Sequence, residues 1–247
     1  MSVVGTNLVI YTAVNMPTDN TTIVGGDINS GIRASFDDPS SASQIIIYSS
    51  DVGDTSQNLT ITGRTVAGMV ISESMALNGT VNVTSTYTYG RVLHALLDTT
   101  ADGVVSVSGS SVNKITDIPA GESGFRRPFY DATASVDTAQ TYYEKVFVKN
   151  NNSIFALTDA QITEVNDGLS SKIDFGLEDT KQADQTITNR ETVPTGIGGG
   201  FGVGPSGIIN DILLQNDYQG IWFKLSLDAG ESATNSFYEV QISGTTV

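Results

Sequence analysis

Leu59-Thr60-Ile61-Thr62, Gly68-Met69-Val70-Ile71-Ser72-Glu73, Val81-Asn82-Val83-Thr84-Ser85, Arg91-Val92-Leu93-His94-Ala95-Leu96-Leu97 and Gly103-Val104-Val105-Ser106-Val107 succeed one another between residues 59 and 107. Each run is short, most are rich in β-branched residues, and each is bounded by Gly, Asn, Asp or Ser. Strands of roughly 4 to 8 residues with a turn signal every 8 to 12 are the pattern of a β-sandwich or barrel.

The habit extends in both directions. Asn7 to Val14 and Gln44-Ile45-Ile46-Ile47-Tyr48 precede this stretch. Tyr143 to Lys149 follows it and partly alternates, which predicts one buried and one wet face. Ser171 to Leu177, Gly220 to Leu227 and Phe237 to Ile242 complete the series. The expected fold is all-β: two tandem antiparallel β-sandwich domains, jelly-roll or Ig-like, with long loops and very little helix. Ile208 to Gln215 is the one candidate for a helical turn, with an irregular loop equally compatible. Pro17 to Ser43 and the glycine-rich Gly196 to Gly204 read as loops. A boundary is expected between residues 118 and 130, dividing the chain into domains 1–120 and 121–247. Ala120-Gly121-Glu122-Ser123 recurs as Ala229-Gly230-Glu231-Ser232, a weak hint of duplication.

Composition narrows the function. The chain has 247 residues and no cysteine, so disulfides, thiolate metal sites and cysteine nucleophiles are excluded. Twelve Lys+Arg against 27 Asp+Glu give a formal charge of −15. Such a field repels a phosphate backbone, and Arg126-Arg127 is the only basic pair near its position, so nucleic acid is not an expected partner. No secretory signal is visible near Met1 to Val14, and no apolar run approaches the ~18 residues of a spanning helix, so no membrane partner is expected. The chain is expected to be made in a cytosol.

A search for chemistry returns little. His94, the single histidine, sits in an apolar strand run and reads as a half-buried strand residue. One histidine without cysteine cannot make a usual zinc site. Gly196 to Gly204 has no Lys and is followed by Pro205, unlike a phosphate-binding loop. Asp51 with Asp54, and Asp98 with Asp102, could be set across a cleft as glycosidase carboxylates, but spacing does not establish that. Asp98 to Gly103 lacks the order of a calcium loop and reads as a turn. No catalytic, cofactor or metal residue is assigned, and the chain is not expected to be an enzyme. Asn58-Leu59-Thr60 and Asn78-Gly79-Thr80 read as turn and strand residues rather than glycan acceptors.

Two passages carry a resemblance. Thr65-Val66-Ala67-Gly68, Leu77-Asn78-Gly79-Thr80 and Tyr89-Gly90-Arg91-Val92 lie in the first. Phe125-Arg126-Arg127-Pro128-Phe129-Tyr130, Tyr143 to Lys149 and Gly220-Ile221-Trp222-Phe223-Lys224-Leu225 lie in the second. Together they resemble structural proteins of tailed-bacteriophage virions. The resemblance implies a virion component: a capsid decoration (cement) protein, or a head–tail connector, tail or baseplate subunit. Its implied partners are the major capsid protein or other virion proteins and further copies of itself, assembled in the host bacterial cytoplasm.

Phe125, Arg126, Arg127, Phe129 and Tyr130 combine aromatics with arginines, a composition enriched in interface hot spots, and Phe201 lies in the glycine-rich run. These six are the expected interface residues. A receptor- or glycan-binding module is the alternative, with Trp222, Tyr87, Tyr89 and Tyr218 as stacking faces, although Trp222 sits in a run that reads as core. A cell-wall hydrolase would rest on the carboxylates alone.

Overall fold

The computed structural model describes residues 2–110, 113–167, 172–204, 206–208, 212–231 and 238–247. The fold is all-β, with several antiparallel sheets in sandwich arrangement. Among the described residues the one helical element is a 3-10 turn, Gly5–Asn7. Strand β1 is Leu8–Asn15 and β2 is Val24–Arg33. Contacts divide the chain into two compact units, one of residues 1–29 and 128–247, the other of residues 30–127. The chain thus crosses between units at 29/30, within β2, and again at 127/128. The patterning predicts a single boundary at 120/121, whereas the chain crosses twice, the second time within the 118–130 stretch.

The inserted unit, 30–127, is a two-sheet sandwich. Its strands are β3 (Ser43–Ser49), β4 (Asn58–Arg64), β5 (Val70–Ala76), β6 (Val83–Tyr89), β7 (Arg91–Leu97), β8 (Val105–Gly109), β9 (Lys114–Ile118) and β10 (Gly124–Arg126), with the end of β2. One sheet has the order β2-β10-β7-β4-β5 and the other β6-β3-β8-β9. Strands β10 and β2 run parallel, with Gly124 opposite Ile32 and Phe125 opposite Arg33. Along β3, β4 and β8 alternate residues point inward, as period-two patterning requires. Ile45 and Ile47, Leu59 and Ile61, Val92 and Ala95, Val105 and Val107, and Phe125 form one buried cluster drawn from both sheets.

The outer unit is built around β11 (Gln140–Asn150). Its other strands are β1, the start of β2, β12 (Leu157–Asp167), β13 (Ile173–Glu178), β14 (Thr186–Ile187), β15 (Ile197–Gly202), β16 (Ser206–Gly207), β17 (Ile212–Leu213), β18 (Tyr218–Leu227) and β19 (Tyr238–Thr246). The order is β15-β13-β18-β11-β1-β2, with β14 on β2; a second sheet pairs β12 with β19, β16 and β17. Strand β11 lies antiparallel between β1, with Leu8 opposite Asn150, and β18, with Lys145 opposite Trp222.

Three expectations change. Pro17 to Ser43 is not all loop, because β2 occupies Val24–Arg33. Its glycines disguise it: Gly25 has a φ of +97°, and a Cβ there would lie 2.5 Å from the Gln185 carbonyl and 2.9 Å from the Trp222 ring. Gly196 to Gly204 likewise contains the strand β15 rather than a free loop. Strand β11 has no wet face over Tyr142 to Val148, which is buried without interruption. The helical-turn candidate Ile208 to Gln215 falls partly outside the described residues, and its Ile212–Leu213 is β17. The two Ala-Gly-Glu motifs are both turns after a strand whose glutamate joins an ion pair, Glu122 with Arg33 and Glu231 with Lys172.

Candidate interaction surfaces

Phe125 is fully buried in the inserted unit, its ring 4.4 Å from that of Phe36, so it offers no surface to a partner. Arg127 is also committed locally. Its Nη2 donates to Asp38 Oδ1 at 2.8 Å, its Nε donates to the Val92 carbonyl at 3.3 Å, and the guanidinium stacks 4.7 Å above Phe36. Burial, opposed by the Asp38 charge, brings its pKa down to about 10. Arg126 is half-buried in the ladder opposite His94. Phe125 and Arg126 are committed because β10 is an interior strand, held between β2 and β7, and Arg127 follows it directly with its N–H on the Leu93 carbonyl.

The remaining three belong to the outer unit. Phe129 has a φ of +54°, and its N–H donates to Glu144 Oε2 at 3.0 Å. Tyr130 is half-buried. Phe201 is half-buried with its ring 5.5 Å from Tyr143. The six candidates therefore divide, three to each unit, between core, ladder and half-exposed positions.

The carboxylate pairs fare differently from a catalytic arrangement. Asp54 is buried and accepts from Ser49 Oγ at 2.5 Å and from the backbone N–H groups of Asp102 and Gly103, each at 3.0 Å. Burial would push its pKa up, but these three hydrogen bonds outweigh that and hold it below the usual carboxylate value. Asp98 is exposed and caps Asn58, accepting from its N–H at 2.9 Å and its Nδ2 at 2.8 Å. Both are turn-holding groups. Among the described residues no cluster of three or more His, Asp or Glu is placed to hold a metal ion. Of the proposed stacking aromatics, Trp222 and Tyr89 are fully buried, Tyr218 donates its hydroxyl to Asp27 at 3.0 Å, and Tyr87 alone is exposed.

Two apolar surfaces stand out instead, one on each unit. The β4–β5 hairpin of the inserted unit ends in Val66, Met69 and Val70, exposed by 79%, 64% and 59%. The tip is pinned rather than frayed: Thr65 N–H donates to the Met69 carbonyl, Gly68 N–H to the Thr65 carbonyl, and Arg64 Nη1 to the Gly68 carbonyl at 3.0 Å. On the outer unit, Val4, Ile154, Leu214 and Val247 are exposed on segments tied to each other. Gln215 Nε2 donates to the Ile154 carbonyl at 2.6 Å, and Ala156 and Val247 exchange backbone hydrogen bonds. Val4 and Ile154 border an open depression of about 460 Å³ beside Asn7, Asn151 and Asn152. The sequence carried a signal for the first surface: Val66, Met69 and Val70 are large apolar residues at a turn, where polar ones are the rule. The second depends on segments distant in sequence and has no local signature.

No family model, curated protein or solved structure matches the chain.

Proposed function

We propose that the chain is a structural component of a bacteriophage virion acting through protein–protein contacts, in the first place as a capsid decoration protein. The resemblance of the motifs between Thr65 and Val92 and between Phe125 and Leu225 to virion proteins supports this reading. The observation that carries it is the pinned hairpin tip bearing Val66, Met69 and Val70. Burying each such side chain contributes roughly 1.5–3 kcal/mol, enough for a small ordered tip to serve as an anchor once many copies act together. A formal charge of −15 suits a surface facing solvent rather than packaged DNA. In this reading the chain performs no catalysis, in keeping with carboxylates engaged in turn hydrogen bonds.

The test is co-sedimentation of purified protein with empty capsids, together with the protein content of purified virions. Stoichiometric binding to shells, lost in Val66→Asp/Met69→Asp while the thermal midpoint holds, is the expected result. Absence from virions sinks the proposal; presence in virions without binding to shells moves the chain to the tail or connector.

A further inference from the structure

Asn78-Gly79 is the only Asn-Gly pair in the sequence, and Asp102-Gly103 is one of two Asp-Gly pairs. Such pairs are chemically fragile because a glycine nitrogen, unhindered by a side chain, reaches the side-chain carbonyl carbon of the residue before it. At Asn78 the Gly79 nitrogen would bond to Cγ, the Cγ–Nδ2 bond would break, and ammonia would leave with the proton. Water then opens the cyclic imide to aspartate or isoaspartate. At Asp102 the same attack on the protonated carboxyl expels water, and hydrolysis returns it.

The fold needs both glycines. Gly79 has a φ of +57°, and a Cβ there would lie 2.7 Å from the Val52 carbonyl. At Gly103 a Cβ would lie 2.5 Å from Ser49 Oγ and 2.6 Å from the Asp51 nitrogen. The weak junctions therefore cannot be hardened by giving either glycine a side chain. Both attacking nitrogens are instead engaged by one residue. Gly79 N–H donates to the Asp54 carbonyl at 2.8 Å, and Gly103 N–H donates to Asp54 Oδ2 at 3.0 Å. Asp54 is itself fixed by Ser49 Oγ at 2.5 Å and by the Asp102 N–H on Oδ1 at 3.0 Å. Asn78 and Asp102 are exposed, so water and base reach the side chains while the nitrogens stay held.

We infer that Asp54 is a chemical guard, a buried carboxylate and carbonyl that keep the Asn78-Gly79 and Asp102-Gly103 junctions from closing to the imide. A neutral nitrogen attacks only after giving up its proton and turning toward Cγ, and a hydrogen bond to a fixed acceptor opposes both motions. The clamp on Gly103 is direct, through the carboxylate. The clamp on Gly79 runs through the backbone of Asp54 and depends on the side chain to hold that backbone in place.

The experiment ages the full chain at mildly alkaline pH and reads each junction by peptide mapping. Deamidation at Asn78 appears as a gain of about 1 Da, and isoaspartate at Asp102 as a shift in retention without a mass change. Native protein is expected to age at least about tenfold more slowly at both junctions than the same protein in urea. Asp54→Asn, checked for folding by circular dichroism, is expected to speed Asp102 most and Asn78 less, leaving Asn152-Ser153 of the outer unit unchanged. Equal ageing of native and urea-unfolded protein overturns the inference, as does a folded Asp54→Asn that ages like the parent. Ser49→Ala, which removes one support of Asp54 but touches neither nitrogen, covers the case in which Asp54→Asn does not fold. Faster ageing at Asp102 in that variant supports the guard, and an unchanged rate counts against it.

Discussion

Glu144 and Lys145 are neighbours on β11 that point to opposite faces, and each is buried with an opposite charge. Glu144 accepts from Arg190 Nη2, which also donates to Asp131 Oδ1 at 2.7 Å. Lys145 Nζ lies 2.7 Å from Glu178 Oε1 and donates to the carbonyls of Gly26 and Ala183, each at 3.0 Å. Trp222 Nε1 donates to the same Glu178 oxygen at 3.2 Å. Desolvation presses both groups toward neutrality, lowering the pKa of Lys145 and raising that of Glu178, while the pairing opposes it. Removing one partner strands the other, so Lys145→Met is expected to destabilise the outer unit by about 3–5 kcal/mol in urea titration. Lys145→Met with Glu178→Leu is expected to recover most of that loss, and no recovery would show that the pair is not the cause. Gly220→Ala belongs to the same site, because a Cβ there collides with Glu178 Oε2 and approaches Lys145 Cε to 3.1 Å; a loss of about 1–3 kcal/mol is expected. In the inserted unit, burial and then the charge of Arg126 lower the pKa of His94 from 6.5. The folded state thus binds this proton less readily than the unfolded chain. The stabilisation is complete above about pH 6.5 and is lost as pH falls through the folded value. Urea midpoints of the parent should drop across that window more than those of His94→Gln. None of this pairing was legible in the sequence, since Glu and Lys at adjacent strand positions normally mark solvent.

At the scale of elements, legibility followed patterning. Strand β7 occupies Arg91–Leu97, as its patterning predicts, because an apolar run interrupted only by His94 lies there between turn signals. Strand β12 was missed although Leu157, Ala160 and Ile162 are all buried. Asp159, at a φ of +50°, inserts an extra residue, and register shifts at Thr158/Gln161 and Glu164/Asn166 break the period of two. Strand β15 was hidden by glycine. The edges of the inserted unit show a further device that no spacing rule reveals. The carboxylate of Glu73 on β5 accepts from the N–H groups of Thr86, at 2.9 Å, and Tyr87, at 3.2 Å, on β6. Strand β6 is the outer strand of its sheet, so these N–H groups would otherwise invite another chain. Glu73→Ala is expected to cost about 1–2 kcal/mol and to raise self-association in light scattering. A variant as stable and monodisperse as the parent would remove the clip from the account.

For the whole molecule, nesting is the feature that sequence alone obscured, because strands of both units carry the same patterning. The inserted unit begins and ends on adjacent strands: Ser123 N–H donates to the Gly31 carbonyl at 2.6 Å, and Gly124 lies opposite Ile32. Its core cluster is complete within residues 30–127. Residues 30–127 expressed alone are expected to unfold cooperatively with a β-rich circular dichroism spectrum, and a disordered product would show that the unit depends on its host. Nesting also sets a schedule at the ribosome. Strand β1 lies between β2, which follows it directly, and β11, which is 142 residues further along from Leu8 to Asn150. At about 5–20 residues per second, that partner follows on the order of ten seconds later. In the interval the whole of the inserted unit is made and can close. A nascent strand carrying Leu8-Val9-Ile10-Tyr11 has only β2 to pair with through all of it, and the longer translation takes, the longer its other edge stands open. Yield on expression in bacteria is therefore expected to follow translation speed and chaperone supply while residues 30–127 are being made, before β11 can cover the open edge of β1.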